Sequence, residues 1–246
     1  MSGLTVSEDG VQLLAATDRG FIYRVRVSDF SSMLLGENHI GPVLDAQYME
    51  RVSDKFATCS TDGTIRLWDA NDYTVYARCM IAANTYPNCA VFTEEIILSG
   101  WSDSRVRAFR VDTQDLLWTI DNAHKDGVSC IDLSYNFKFL VTGGGGGDIR
   151  VWEVRTREMI SHLKEHTSRV TEVEILPDDM HLVSCSRDKT LLTWDLKSEK
   201  RLTSHSQPMG GMNQFCRRPG ENSKFVTVGQ ERMITFWDLA KVSPEG

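Results

Sequence analysis

Apolar and polar positions alternate along this chain in short runs. Segments such as VSCIDL (128–133), VTEVEI (170–175) and FLVT (139–142) are rich in β-branched residues and only four to six positions long. Turn-forming stretches bound them: Asn136-Phe137, Pro177-Asp178-Asp179 and the glycine run Gly143–Gly147. No stretch carries the period of a long amphipathic helix. Twenty-odd short strands without helices predict an all-β architecture: a sandwich, a barrel or a propeller.

A fixed repeat decides among these. The segments TDRGFIYRV, TDGTIRLWD, SDSRVRAFR, GGGDIRVWE, RDKTLLTWD and QERMITFWD align. Their aromatic column runs Trp68, Phe109, Trp152, Trp194 and Trp237, with Arg24 in the first unit, at steps of 44, 41, 43, 42 and 43 residues. Six residues before the aromatic sits a turn acid: Asp18, Asp62, Asp103, Asp188 and Glu231, replaced by Gly146 in the fourth unit. Four residues earlier still comes a hydroxyl: Thr58, Ser99, Thr142, Ser184 and Thr227, with Leu14 in the first unit. A histidine precedes the tryptophan by 28 or 29 residues at His39, His124 and His166.

Period and columns together resemble the WD40 repeat, in which each unit is one four-stranded propeller blade. That resemblance implies a buried chain in each blade, from tryptophan through hydroxyl and histidine to the turn acid. Two units hold all four members: His39, Thr58, Asp62 and Trp68, and His166, Ser184, Asp188 and Trp194. The fourth holds His124, Thr142 and Trp152; the third and sixth lack the histidine. Each hydrogen bond in such a chain contributes ~1 kcal/mol net, and a charge-assisted one ~1.5–3 kcal/mol.

Residues 1–246 are expected to form one propeller domain with six visible units. The last unit ends on its third strand, and no spare strand precedes Leu4 to complete it. We therefore expect a fragment of a larger, seven- or eight-bladed ring. Two stretches narrow the resemblance: IILSGWSDSRVRAFRVDTQDLLWTIDNAHKDGVSCIDL (96–133) and FLVTGGGGGDIRVWEVRTREMISHLKEHTSRVTEVEI (139–175). They are similar to the second propeller of a family of cilia- and flagella-associated WD-repeat proteins built from two consecutive propellers. Members of that family are bound in the lumen of axonemal doublet microtubules. The likeness is best over residues 80–240, and the stretch SHSQPMGG (204–211) matches no family phrase. It implies a structural scaffold in the cytoskeleton of the cilium or flagellum, with tubulin and other axonemal proteins as partners. The alternative is a general cytoplasmic WD40 adaptor in a signalling or ubiquitin-ligase complex.

Bulk properties fit a binding platform. The formal charge of −7 over 246 residues, with a pI near 5.4, disfavours nucleic-acid phosphate as a partner. No run is long enough to span a bilayer, so membrane insertion is not expected. The opening MSGLTVSEDG lacks a signal-peptide pattern. Cys59, Cys79, Cys89, Cys130, Cys185 and Cys216 are scattered without a CxxC pair, as expected for reduced, mostly buried thiols.

Candidate chemistry is sparse. The glycine run could cradle a phosphate, but a strand (DIRVW) follows where a lysine and a helix are needed, so a tight turn is the better reading. The three column histidines occupy equivalent places in different blades and cannot converge on one metal ion. Ser184, Asp188 and His166 share one blade but form a structural chain, and no GxSxG occurs. We expect no catalytic residue, metal or cofactor. WEVR (152–155) resembles the W-D-x-R motif of ubiquitin-ligase substrate receptors, with Glu153 in place of the aspartate. For protein binding the candidates are Trp101, Arg105, Arg107, Arg169 and Arg187. Trp101 beside a turn could anchor an interface or pack against the neighbouring blade. Arg105, Arg107 and Arg110 add positive charge near it, with Arg110 on the opposite strand face. Arg187, with Thr61, Ser102 and Gln230, precedes the turn acid, and Arg169, with Pro42 and Gly127, follows the histidine position by three; WD40 platforms ring their central channel with these places.

Overall fold

A computed structural model of the chain describes residues 3–7, 9–35, 39–49, 52–81, 84–207, 210–218, 223–230 and 234–238. Glu231, the turn acid expected in the sixth unit, lies outside them. Secondary structure among the described residues is entirely extended, as the short alternating runs predict. The chain divides into two compact units, Met1–Val128 and Ser129–Gly246.

The first unit holds three antiparallel meander sheets. Blade 1 comprises β1 (Gly3–Val6), β2 (Gln12–Ala16), β3 (Ile22–Arg26) and β4 (Ser32–Leu34). Blade 2 comprises β5 (Val43–Tyr48), β6 (Lys55–Ser60), β7 (Thr64–Asp69) and β8 (Val75–Met80). Blade 3 comprises β9 (Pro87–Phe92), β10 (Ile96–Trp101), β11 (Val106–Arg110) and β12 (Leu116–Ile120). Cores lie between consecutive sheets. Leu14, Ile22, Val43, Phe56 and Trp68 fill one between blades 1 and 2. Ile65, Leu67, Phe92, Ile97, Trp101 and Phe109 fill the next. Burying such side chains on both faces of a sheet supplies the main stabilising term.

The second unit repeats the plan. Blade 4 comprises β13 (Val128–Leu133), β14 (Phe139–Gly144), β15 (Ile149–Glu153) and β16 (Met159–Leu163). Blade 5 comprises β17 (Val170–Ile175), β18 (His181–Ser186), β19 (Thr190–Asp195) and β20 (Lys200–Ser206). Blade 6 has β21 (Met212–Arg217), β22 (Lys224–Gly229) and β23 (Ile234–Asp238) among the described residues. Val141, Ile149, Val170, Ile175 and Trp194 pack between blades 4 and 5, and Val183, Leu191, Met212, Phe215 and Phe225 between blades 5 and 6.

The glycine run is only partly a turn. Gly143 and Gly144 belong to β14. A Cβ on Gly143 would sit 2.4 Å from Cys130 Sγ and 2.8 Å from Val170 Cγ1, so the strand needs glycine for space. Gly147 does turn the chain, with φ of 90°, a conformation costly for other residues.

Carboxylates join successive blades, a feature the sequence reading missed. Asp45 on β5 accepts the Ala90 N–H of β9 at 3.1 Å. Asp132 on β13 accepts Ile175 N–H of β17 at 2.6 Å, and Glu172 on β17 accepts Phe215 N–H of β21 at 2.9 Å. Strand register shifts between Val43 and Asp45, and again between Val170 and Glu172. Such a bulge re-aims a side chain, here an acid toward the next sheet. Burial pushes the Asp45 carboxyl up to about 6, against the pull of Ala90 N–H and the Gln47 amide.

Candidate functional site

Strand register explains why the column residues meet. Thr58 on β6 pairs with Arg66 on β7, and Trp68 lies two residues further on the same face. The indole therefore reaches diagonally to the hydroxyl. Trp68 Nε1–H donates to Thr58 Oγ1 at 2.9 Å, and His39 Nε2 lies 2.7 Å from the same oxygen. His39 Nδ1 lies 2.8 Å from Asp62 Oδ2. A neutral imidazole protonated on Nδ1 satisfies the whole chain: indole to hydroxyl, hydroxyl to Nε2, Nδ1–H to carboxylate.

Blade 5 repeats this geometry. Trp194 Nε1–H donates to Ser184 Oγ at 2.8 Å; His166 Nε2 is 2.9 Å from Ser184 Oγ, and His166 Nδ1 is 2.9 Å from Asp188 Oδ2. Asp188 also accepts the Thr167 and Thr190 N–H groups, each at 2.9 Å. Burial alone would raise the Asp188 carboxyl, but the His166, Thr190 and Thr167 hydrogen bonds outweigh it and hold the group well below the usual carboxylate range. Asp62 is lowered in the same way: burial opposes the shift, and the Thr64 and His39 bonds override it. His39 is itself lowered by burial, only partly countered by Asp62.

In blade 4, Trp152 Nε1–H donates to Thr142 Oγ1 at 2.9 Å, and His124 is buried, 2% exposed. In blade 6, Trp237 Nε1–H donates to Thr227 Oγ1 at 2.8 Å, and the His205 ring lies 5.7 Å from the Trp237 ring. His205 is thus partly buried against that indole.

Blade 3 corrects two sequence expectations. Trp101 is fully buried, so it offers no surface as an interface anchor. It packs within the core beside Phe109, 6.2 Å between ring centres. Phe109 occupies the tryptophan column but has no N–H. Trp101, two residues beyond Ser99 on the same strand face, supplies the missing donor: its Nε1–H bonds Ser99 Oγ at 2.8 Å. Ser99 Oγ–H in turn donates to the Arg107 carbonyl at 3.1 Å. Arg107, expected on the surface, has a side chain only 5% exposed. Like Arg66 of blade 2, which lies 3.5 Å from Asp62, it stands two residues before the column aromatic and pairs with the turn acid. Its guanidinium donates twice to Asp103, at 2.8 and 2.5 Å, and lies 4.8 Å above the Trp101 ring. The signal was present in sequence as a blade lacking both histidine and column tryptophan yet carrying an extra tryptophan.

The other binding candidates divide. Arg105 precedes β11 rather than lying in it, and it is exposed but paired, 2.6 Å from Asp121 and 3.5 Å from Asp103. Charges around Trp101 therefore balance, and the basic patch expected there is absent among the described residues. Arg169 and Arg187 are both exposed. Arg187 N–H donates to the Arg169 carbonyl at 3.0 Å, which places the two residues side by side at one end of blade 5. Neither guanidinium has a carboxylate partner among the described residues. Among those residues no three His, Cys, Asp or Glu side chains are placed to hold a metal ion. Five cysteines are buried and reduced, and Cys216 is exposed.

The repeated indole–hydroxyl bond on every sheet from blade 2 to blade 6 agrees with the family model that the sequence matches, "WD domain, G-beta repeat", over residues 37–69, 114–153 and 157–195. The chain is a WD40-repeat protein. It is 30% identical over 245 residues to human "Cilia- and flagella-associated protein 52", covering 97% of this chain and 38% of the relative. The Chlamydomonas reinhardtii protein of the same name is 32% identical over 225 residues, 88% of this chain and 35% of the relative. Human "WD repeat and SOCS box-containing protein 1" is 27% identical over 153 residues, 58% of this chain and 36% of the relative. This WD40 chain thus spans between a third and two fifths of the length of these curated relatives.

Proposed function

We propose that this WD40 chain is a non-catalytic scaffold of the cilium or flagellum, a structural component that binds microtubules from the lumen of the axonemal doublets. The similarity to cilia- and flagella-associated proteins over nearly the whole chain supports the compartment. The observation that carries the contact is the adjacent, exposed and unpaired pair Arg169 and Arg187. Tubulin is acidic, and this chain carries a formal charge of −7. Two acidic surfaces repel, so attachment requires a local cationic patch. Arg105 and Arg107 are spent on Asp121 and Asp103 and do not contribute one.

The test is retention of the tagged full-length protein on isolated axonemes through salt extraction. Wild type stays in the salt-resistant fraction, whereas Arg169→Glu with Arg187→Glu raises the extracted fraction several-fold. Unchanged retention of the double variant excludes this patch. A wild-type protein found wholly in the soluble cytoplasm overturns the ciliary reading. That outcome favours a general WD40 adaptor of a signalling or ubiquitin-ligase complex, the reading supported by the similarity to a WD repeat and SOCS box-containing protein over part of the chain.

A further inference from the structure

The opposite strand ends of blade 4 carry a second feature. The turn between β13 and β14 and the turn between β15 and β16 enclose an open cavity of about 410 Å3, lined by Phe137, Lys138, Glu153, Val154 and Arg155. A small site of this volume takes one or two side chains rather than a folded element. Its floor is closed by Val154 N–H donating to the Lys138 carbonyl at 2.9 Å.

The cavity walls are turns of defined shape. Phe137, with φ of 59°, and Arg157 on the facing turn, with φ of 65°, take the left-handed conformation also seen at the equivalent turn residues Asp179, Tyr73, Gln114 and Glu199. Asp179 of blade 5 caps the first turn: its carboxylate accepts Tyr135 N–H at 2.6 Å and Asn136 N–H at 3.1 Å. Asn136 Oδ1 in turn accepts Lys138 N–H at 2.9 Å. Phe137 lies in this turn with 43% of its surface exposed. The exposed Lys138 and Arg155 side chains have no carboxylate partner among the described residues. The carboxylate present, Glu153, is engaged by the Thr156 hydroxyl at 2.7 Å.

We infer that this cavity binds an extended segment of a partner protein in which an aromatic or aliphatic side chain is flanked by acidic residues. The apolar side chain lies against Phe137 and Val154. The flanking carboxylates meet Lys138 and Arg155, whose positive charge stands out on an acidic chain. Glu153 repels an unbroken acidic run, which selects the alternating pattern over a polyacid. Arg169 and Arg187 sit at the other end of the strands, so the second unit can hold two protein partners at once.

The probe is a capped Gly-Asp-Phe-Asp-Gly peptide titrated into the isotope-labelled chain and followed by amide chemical shifts. Saturable shifts confined to residues 134–139 and 153–157 are expected. Lys138→Glu with Arg155→Glu weakens binding about tenfold or more, since reversed charges at a contact cost affinity strongly. Arg169→Glu with Arg187→Glu leaves binding unchanged, which separates this site from the tubulin patch. Lys138→Gln with Arg155→Gln, which removes charge without reversing it, weakens binding by a smaller factor and guards against misfolding. Three results overturn the inference: no saturable shift at millimolar peptide, an equal response to Gly-Lys-Phe-Lys-Gly, or unaltered binding by both double variants.

Discussion

Asp103→Asn tests how far blade 3, which has no column histidine, depends on the Arg107–Asp103 pair. In the folded chain the Arg107 guanidinium makes two charge-assisted bonds to Asp103, at 2.8 and 2.5 Å, with side-chain exposures of 5% and 26%. Asparagine keeps one acceptor oxygen but turns an amide donor toward the second guanidinium N–H. The arginine stays charged and buried over Trp101. Removing one partner of a buried pair costs about 3–5 kcal/mol, because the other charge is stranded. The quarter exposure of Asp103 admits water and lowers the expected loss to about 2–3 kcal/mol. That is a fall of roughly 5–10 °C in Tm for a chain of this size. Urea unfolding followed by tryptophan fluorescence and far-ultraviolet dichroism measures it. Asp121→Asn is the control: it breaks the exposed Arg105 pair, 47% and 64% exposed, and costs less than about 0.5 kcal/mol. Adding Arg107→Leu to Asp103→Asn removes the stranded cation, so the double variant is less destabilised than the sum of its parts by about 1 kcal/mol or more. An Asp103→Asn variant within about 0.5 kcal/mol of wild type, or additive single effects, would refute that dependence.

Asp45 and Gly143 yield two further predictions. With its folded pKa pushed up to about 6, Asp45 contributes stability that is present below about pH 4 and lost as pH rises through 6. Asp45→Asn keeps an acceptor for Ala90 N–H, so the variant is more stable than wild type at pH 7.5 by about 1–3 kcal/mol, and the gain shrinks toward pH 4; urea melts across that range showing a pH-independent difference contradict the assignment. Gly143→Ala forces a Cβ to within 2.4 Å of Cys130 Sγ and should destabilise the chain by about 1–3 kcal/mol through overpacking, whereas Gly145→Ala at the turn costs less in the same melt.

Much of this was written in the chain. A period near 43 residues with four recurring columns is a one-dimensional signal, because each blade is built locally from consecutive antiparallel strands. The networks of blades 2 and 5 were therefore legible residue by residue, from His39 to Trp68 and from His166 to Trp194. The bounds of β13 and β17 and the burial of five of the six cysteines followed from alternation and composition.

Blade 3 was not legible in that way. Columns compare equivalent positions, and Trp101 performs the expected donor role from a position that is not equivalent. Whether an arginine beside a turn faces water or an indole depends on which side chain fills the space above it, a property of packing in three dimensions. The same holds for Asp45, Asp132 and Glu172: an acid on a strand looks like any polar residue until the fold sets it against the next sheet's backbone, through a bulge at Asp45 and Glu172. Arg169 and Arg187 became a patch, and Arg105 did not, because exposed charge counts only after its neighbours have paired. Sequence alone determined the repeat and the architecture, since local hydrogen bonding and periodic burial generate both. The tertiary structure decided which charges are free to bind, since pairing joins residues that the chain order keeps apart.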